Sequence, residues 1–413
     1  MSRRLDFFLA LLLLVLTLLV VIVVWKPKDQ GYNPDLFGMH ETLAFRSLHE
    51  NLNISRAFEI MHSLGVKKIR MSFWRGSFML NSTEINPNVT DAIEQVVRKA
   101  DSLGMEIMGY AQDFPSWMRI VEGDSQTIPH RNTAEYATFL SQYEESWETL
   151  AREFPKITMW EIGNEYNLHQ FLHPTNEDFG AQERVDIVTD LLYLGSRGIK
   201  KSNPEAITVM GGLGPGGNGI KDIENFLRSI YENIDSNKWN TTDPDDFFEI
   251  ACWHPYIFKE KPTKQNWVAP NKAVYQVMKQ HGDDDRHVFF SEMGYTDNDL
   301  SRDEIAEYLK DVFSLAKDNF PWLGTIYWYR LTDRDLIYQG LKVSKMDGFG
   351  VFESPETWTW KPAAYAYQSL THLDDNAAGN SIPHTRLARA TTKTVQKTEV
   401  EKVKPKRYRN TQV

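Results

Sequence analysis

Cysteine is almost missing from this chain. Cys252 is the one thiol in 413 residues, so no internal disulfide can form and the core alone must hold the fold. It sits between Ile250-Ala251 and Trp253 in an apolar run with no base motif beside it, which reads as a buried, inert thiol. Phosphate and metal signatures are missing as well. Gly211-Gly212-Leu213-Gly214-Pro215-Gly216-Gly217 lacks the Lys-Ser/Thr that completes a phosphate loop, and it reads as a flexible loop. No Gly-x-Gly-x-x-Gly turn follows the first strand candidate, no His-Glu-x-x-His occurs, and the clusters Asp243-Asp245-Asp246 and Asp283-Asp284-Asp285 lack the spacing of a calcium loop. No metal and no other cofactor is therefore expected. Positive charge is scarce in the middle of the chain. Residues 1–28 carry net +3 and residues 381–413 net +7, so a total of -10 leaves -20 for the part between. Such acidity argues against a nucleic-acid partner and suits a neutral or cationic polymer.

One long hydrophobic run is present. Phe7 to Trp25 is 19 residues without a charge, preceded by Arg3 and Arg4 in a six-residue N-terminus. That length spans a bilayer as a helix, and the run ends in Val-Val-Trp-Lys-Pro rather than in small residues at a cleavage site. The reading is a single-pass anchor at 7–25 with the N-terminus (1–6) in the cytoplasm and the large domain outside; a secreted protein is the alternative. Residues 26–37 then form a tether, and residues 374–413 a basic tail expected to be disordered.

Between them, strand-like and helix-like segments alternate. Strand candidates begin at Gly38, Val66, Met105, Ile157, Ala206, Phe247, His287 and Gly324, at separations of 28, 39, 52, 49, 41, 40 and 37 residues. Apolar spacing such as Ala57-Ile60-Met61-Leu64 and Ile305-Tyr308-Leu309-Val312-Phe313 predicts the helices, with Gly65 and Gly104 after the first two. Eight such units over residues 38–373 predict a (β/α)8 TIM barrel, carried on an N-terminal transmembrane helix. The stretch from Leu331 to Pro362 reads as one long loop, and a last helix ends near Leu373.

Two strand ends carry the chemistry. Ile157 to Met159 opens into Trp160-Glu161-Ile162-Gly163-Asn164-Glu165, and the strand His287 to Ser291 ends in Glu292. Strands four and seven of such a barrel face one mouth, so the two carboxylates can flank a glycosidic bond, one as acid and one meeting the oxocarbenium-like centre. Trp160 and Tyr166 are expected to shield Glu165 from water, and Arg70 and a tyrosine hydroxyl to keep Glu292 ionised. Glu161 points away from Trp160 by strand alternation and reads as structural or solvent-facing. Trp74, Trp117, Trp253 and Trp328 fall at strand ends, where a flat ring can stack on a sugar, and His40 ends strand one as a further sugar contact.

These stretches resemble the clan A retaining glycoside hydrolases, and among them glycoside hydrolase family 39. The resemblance rests on Arg70, on Trp-Glu-Ile-Gly-Asn164-Glu165 where that family has Trp-Asn-Glu-Pro, on His254-Pro255-Tyr256, on Ser291-Glu292 with Gly294, and on Phe349-Gly350-Val351-Phe352 with Lys361-Pro362-Ala363. It implies Glu165 as acid/base, Glu292 as nucleophile and Asn164 as the 2-hydroxyl contact. Arg70 and Tyr256 would hold the nucleophile, with His254 in the same network. Tyr166 replaces the usual proline after the acid, which leaves the choice between family 39 and a neighbouring clan A family, such as family 5, open. The implied activity is retaining hydrolysis of a β-linked oligo- or polysaccharide. A non-catalytic glycan-binding or assembly protein on the same barrel and a transglycosylase are the competing readings. Asn53, Asn81, Asn88 and Asn240 begin glycosylation sequons.

Overall fold

The computed structural model of the protein describes residues 36–175, 178–338 and 341–377. Eight strands carry the architecture: β1 (Phe37–His40), β2 (Lys68–Ser72), β3 (Glu106–Ala111), β4 (Met159–Asn164), β5 (Ile207–Gly212), β6 (Cys252–Trp253), β7 (Val288–Met293) and β8 (Leu323–Tyr329). They pair in parallel in the order β5-β4-β3-β2-β1-β8-β7-β6. Bridges from Val209 to Ile250 and from Leu213 to Trp253 join β5 to the β6 segment, so the sheet closes on itself. Each strand is followed by a long helix: α1 (Ile54–Ser63), α2 (Pro87–Ser102), α3 (Ala134–Glu153), α4 (Ala181–Ser202), α5 (Ile220–Asp235), α6 (Ala269–Gln280), α7 (Arg302–Asn319) and α8 (Pro362–Ala377). This is the barrel that the strand–helix alternation predicts.

The helices form for local reasons. In α5, Ile220, Ile223, Leu227, Ile230 and Ile234 make one buried stripe while Lys221, Glu224 and Arg228 face outward. Ser301 and Glu304 close a capping box at the start of α7. Gly65, at a φ of +75°, ends the first helical unit where an L side chain would be strained.

Three expectations are corrected. The β6 strand is two residues rather than a run from Phe247, because Phe247 packs against Tyr193 and Trp239 and Phe248 against Tyr231, which draws both rings into the helical layer. The stretch after β8 is not one open loop: Arg334–Tyr338 and Leu341–Asp347 pair as an antiparallel hairpin. Phe37, expected as the last tether residue, is already the first residue of β1, while residues 26–35 lie outside the described residues. Among the described residues no helix is long and apolar enough to cross a membrane. The apolar run Phe7–Trp25 and the tail beyond Ala377 lie outside the described residues. All four sequon asparagines are exposed.

The barrel interior is layered. Met108, Met159, Val209, Cys252, Phe289 and Tyr327 from successive strands fill one apolar layer. Buried polar side chains meet above it, at the C-terminal ends of the strands.

Candidate active site

The end of β4 departs from strand alternation, and one glycine is the reason. Trp160 packs outward on Trp147 of α3 and on Phe73, so Glu161 faces the barrel axis. Continued alternation would turn Asn164 back toward the helices. Gly163 instead adopts a φ of +98°, and a Cβ there would lie 2.3 Å from the Tyr166 ring. Glu165 follows at a φ of +53°. Asn164 and Glu165 thereby both enter the mouth. A similar irregularity serves Glu292. Phe289 and Ser291 face inward on β7, and a register shift against β8 between Ile326 and Trp328 sits beside Glu292 and re-aims it toward the same space.

Arg70 is the hub. Fully buried, it donates from Nε and Nη2 to Glu161 at 2.5 and 3.1 Å, from Nη2 to Asn164 Oδ1 at 2.6 Å and from Nη1 to Glu292 Oε1 at 2.5 Å. Its guanidinium lies 3.8 Å from the centre of the Tyr110 ring. Burial opposes its charge, but Glu161 and Glu292 outweigh burial and hold its pKa well above the usual arginine value. Glu161 also accepts from Gly212 N at 3.0 Å. It is therefore a buried orienting group for Arg70 and has no solvent role.

Glu292 is further held by Tyr256, whose hydroxyl donates to Oε2 at 3.1 Å. Burial, and then the charge of Glu292, hold the Tyr256 pKa well above the ordinary phenol value, so it keeps its proton and donates. His254 places Nδ1 2.7 Å from Glu165 Oε1 and Nε2 3.0 Å from Ser291 Oγ. Burial lowers its pKa, but the Glu292 charge and the Glu165 hydrogen bond outweigh that and leave it raised. His40 behaves oppositely. Burial, then the charges of Arg70, Arg330 and His254, hold its pKa well below the usual histidine value. It is neutral, and with Nδ1 2.9 Å from Arg70 Nη1, that nitrogen accepts and the proton is on Nε2.

One ligand atom each from Glu165, His254 and Glu292 lie within 4.8 Å of one another. Two carboxylates and an imidazole could hold a divalent cation by distance, but both oxygens of Glu292 are already engaged, by Arg70 and by Tyr256. His169 and His173, four residues apart with rings 5.1 Å apart, each pair with a separate carboxylate, Asp178 and Asp124.

The structure thus brings together Glu165, Glu292, Asn164, Arg70, His40, His254 and Tyr256. Trp328 lies elsewhere. It is fully buried, its ring against Phe313 of α7 and near Tyr295, because alternation along β8 turns it toward the helices. The neighbouring Tyr329 faces the mouth instead, 4.8 Å from the His40 ring. Trp253 is also core, donating to Asn271. Trp74 stays partly exposed near Phe45. Trp117 is half-buried in the short helix Ser116–Arg119, with its indole N–H unpartnered among the described residues. Trp160 does not shield Glu165, since it packs outward on Trp147 and Phe73; Tyr166 packs near Phe114 and its hydroxyl donates to Gln112 O. The thiol of Cys252 is buried and its pKa pushed well up, as an inert group requires.

The glycine-rich stretch after β5 is not a spare flexible loop. A Cβ on Gly212 would come within 2.2 Å of His254 Nε2, and one on Gly214 within 2.6 Å of the Glu165 carboxylate. These glycines admit the acidic and imidazole side chains. Sequence reading missed them because a lone glycine run carries no trace of which side chain will approach it.

Comparison with curated proteins gives no match. Among solved structures, the chain resembles a family 39 glycoside hydrolase from the gut symbiont Bacteroides cellulosilyticus, with a TM-score of 0.61, 17% identity, 84% of this chain covered and 64% of that one. The chain therefore spans less than two thirds of that protein. It also resembles the GH5_18 protein of Streptomyces cattleya in complex with Manβ1-4GlcNAc, with a TM-score of 0.57, 16% identity, and 82% and 80% covered. The GH5_18 protein of Bifidobacterium longum subsp. infantis gives 0.53 and 17%, with 82% and 78% covered. At such identities these likenesses speak for the fold. The sequence itself matches the model of the cellulase family, glycosyl hydrolase family 5, over residues 28–330. That match covers well over half of the chain, and the protein belongs to glycosyl hydrolase family 5, within clan A.

Proposed function

We propose that the protein is a retaining glycosidase acting on β-linked glycans, with Glu165 as acid/base and Glu292 as nucleophile. The observation that carries this is the close approach of the two carboxylates, which with His254 lie within 4.8 Å. Retaining pairs hold their carboxyl groups closer (about 5–5.5 Å) than inverting pairs (about 6.5–9.5 Å, to admit a water), and so near an approach of one oxygen from each favours the retaining arrangement. In the first step Glu165 gives its proton to the glycosidic oxygen while a Glu292 oxygen bonds to the anomeric carbon. In the second, Glu165 takes a proton from water, the water oxygen replaces Glu292, and the carboxylate is released. Arg70 and Tyr256 hold and orient Glu292 through hydrogen bonds to its two oxygens. Asn164 uses its oxygen on Arg70, which leaves its amide N–H groups for a substrate hydroxyl. His254 orients Glu165 and is itself held in place by Ser291.

The test is a panel of β-glycans and aryl β-glycosides offered to the purified full-length chain, with Glu292→Gln as control. Manβ1-4GlcNAc belongs in the panel because the Streptomyces neighbour holds it. Turnover that the control lacks, with retained anomeric configuration by NMR, is expected. Equal binding without turnover in both proteins would instead identify a glycan-binding protein, and longer oligomers among the products a transglycosylase. We also place residues 7–25 in a membrane with the barrel outside the cytoplasm, from the 19-residue uncharged run behind Arg3 and Arg4. Recovery of the protein in the soluble fraction with a mature N-terminus after Trp25 would overturn the anchor.

A further inference from the structure

The backbone that carries the acid is held in an unfavourable conformation. Glu165 has a φ of +53°, in the left-handed region that a non-glycine residue occupies when its surroundings enforce it, and Gly163 just before it has a φ of +98°. A proline after the acid would fix the φ at that place through its ring. This chain has Tyr166 there, so the turn must be held by side chains instead.

Fastenings reach the turn from three elements. On the β5 side, Glu165 N donates to Gly212 O at 2.7 Å. The Asn167 amide pairs with Gly214 in both directions: Gly214 N donates to Oδ1 at 3.0 Å, and Nδ2 donates to Gly214 O at 2.8 Å. On the α4 side, Arg184 Nη1 donates to Leu172 O at 2.6 Å and holds the far end of the loop. On the β3 side, the Tyr166 hydroxyl donates to Gln112 O at 2.9 Å, one residue past the end of that strand. Burial holds the Tyr166 pKa well above the ordinary phenol value, so the hydroxyl keeps its proton and donates.

The Tyr166 contact bears on the acid more than on the barrel. β3 and β4 already pair through their backbones from Met108 to Ala111, so the sheet does not need the hydroxyl. The ring lies where a Cβ on Gly163 would project, 2.3 Å away, and it packs near Phe114 with centroids 5.4 Å apart. With the hydroxyl fixed on Gln112 and the ring set between Gly163 and Phe114, the short segment from Gly163 to Tyr166 is confined to the path that turns Asn164 and Glu165 into the mouth. Resting on the hydrolase reading above, we infer that Tyr166 is a positioning residue for the acid: it acts through Glu165, holding that carboxyl where the glycosidic oxygen will be. Asn167 secures the same turn from the β5 side.

The test separates cleavage that needs an acid from cleavage that does not. A dinitrophenyl β-glycoside releases its leaving group without protonation, whereas an oligosaccharide of the same glycone needs Glu165 to protonate the departing oxygen. On the full-length protein, Tyr166→Phe keeps the ring and removes only the hydroxyl. It is expected to lower kcat/KM for the oligosaccharide about tenfold and that for the dinitrophenyl glycoside less than about threefold, because an ångström-scale misplacement costs up to about 100-fold in the step it affects. Asn167→Ala, at a half-buried position, should show the same split, and Glu165→Gln sets its upper limit. Equal losses on both substrates, or no loss on either, would overturn the inference and leave the hydrolase reading standing. If wild type cleaves neither substrate, or Glu165→Gln shows no split, the role of Glu165 falls and this inference falls with it.

Discussion

At the scale of single residues, the site depends on what is small as much as on what is charged. Gly214 approaches Glu165 and Leu168 only through the ends of their side chains, and it has no special backbone conformation to protect. Gly214→Ala should therefore leave stability nearly unchanged, with a Tm within a few degrees of wild type, while pushing the Glu165 carboxylate aside. A displacement of ångström size costs up to about 100-fold in rate. A kcat for oligosaccharide reduced at least tenfold with an intact melting curve is the expected result; unchanged kcat would mean that Glu165 is not held by this contact. The two glutamates were legible because each ends an apolar strand. Trp328 was misplaced because its position at a strand end says nothing of which face it takes, and alternation from the inward Tyr327 turns it toward α7.

At the scale of elements, strands aim side chains and turns set protonation. The β4 strand delivers Asn164 and Glu165 together only because Gly163 breaks its alternation. Away from the mouth, α5 and the turn after α6 meet where the Tyr231 hydroxyl donates to Asp283 at 2.5 Å. Burial, helped by the charges of Asp245 and Asp285 and opposed by the Tyr231 hydrogen bond and Arg286, raises the Asp283 pKa from 3.8 to about 6. The folded protein thus binds a proton there that the unfolded chain has already released, and stability falls as pH rises from about 4 through about 6. Asp283→Asn keeps an acceptor for Tyr231 and removes that loss. The variant should match wild type near pH 4 and exceed it above pH 6.5 by up to about 3 kcal/mol, since each tenfold change in proton affinity is worth about 1.4 kcal/mol. Denaturant melts at pH 4, 5.5 and 7 check this, and a constant difference across the three would refute the assignment. The acidic run Asp283-Asp284-Asp285 was legible as a loop; that one member is buried against Tyr231 was not, because the tyrosine is 52 residues away.

At the scale of the molecule, a buried ion cluster fastens the first strand to the last. Glu41, after β1, accepts from Arg46 at 3.0 Å and from Arg330, after β8, at 2.9 Å, with all three side chains buried. Burial alone would raise the Glu41 pKa, but Arg330 and Arg46 outweigh it and lower it from 4.5 to about 2. The stability it contributes is full above about pH 4.5 and is lost as pH falls toward 2. Glu41→Gln leaves two buried guanidinium groups poorly matched and should cost about 3–5 kcal/mol at pH 7, with the deficit shrinking toward pH 2 in thermal or denaturant melts. What the sequence determined by itself was the repeating strand–helix pattern, hence the barrel, and the pair of strand-end glutamates, because hydrophobic periodicity and local residue order are properties of neighbours along the chain. What only the tertiary structure decided was which partners surround that pair: Glu161 behind Arg70, His254 on Glu165, Tyr256 on Glu292, and the glycines that make room. Those contacts join residues from different strands, and their geometry is set by barrel closure and by local breaks in alternation rather than by any pattern along one strand.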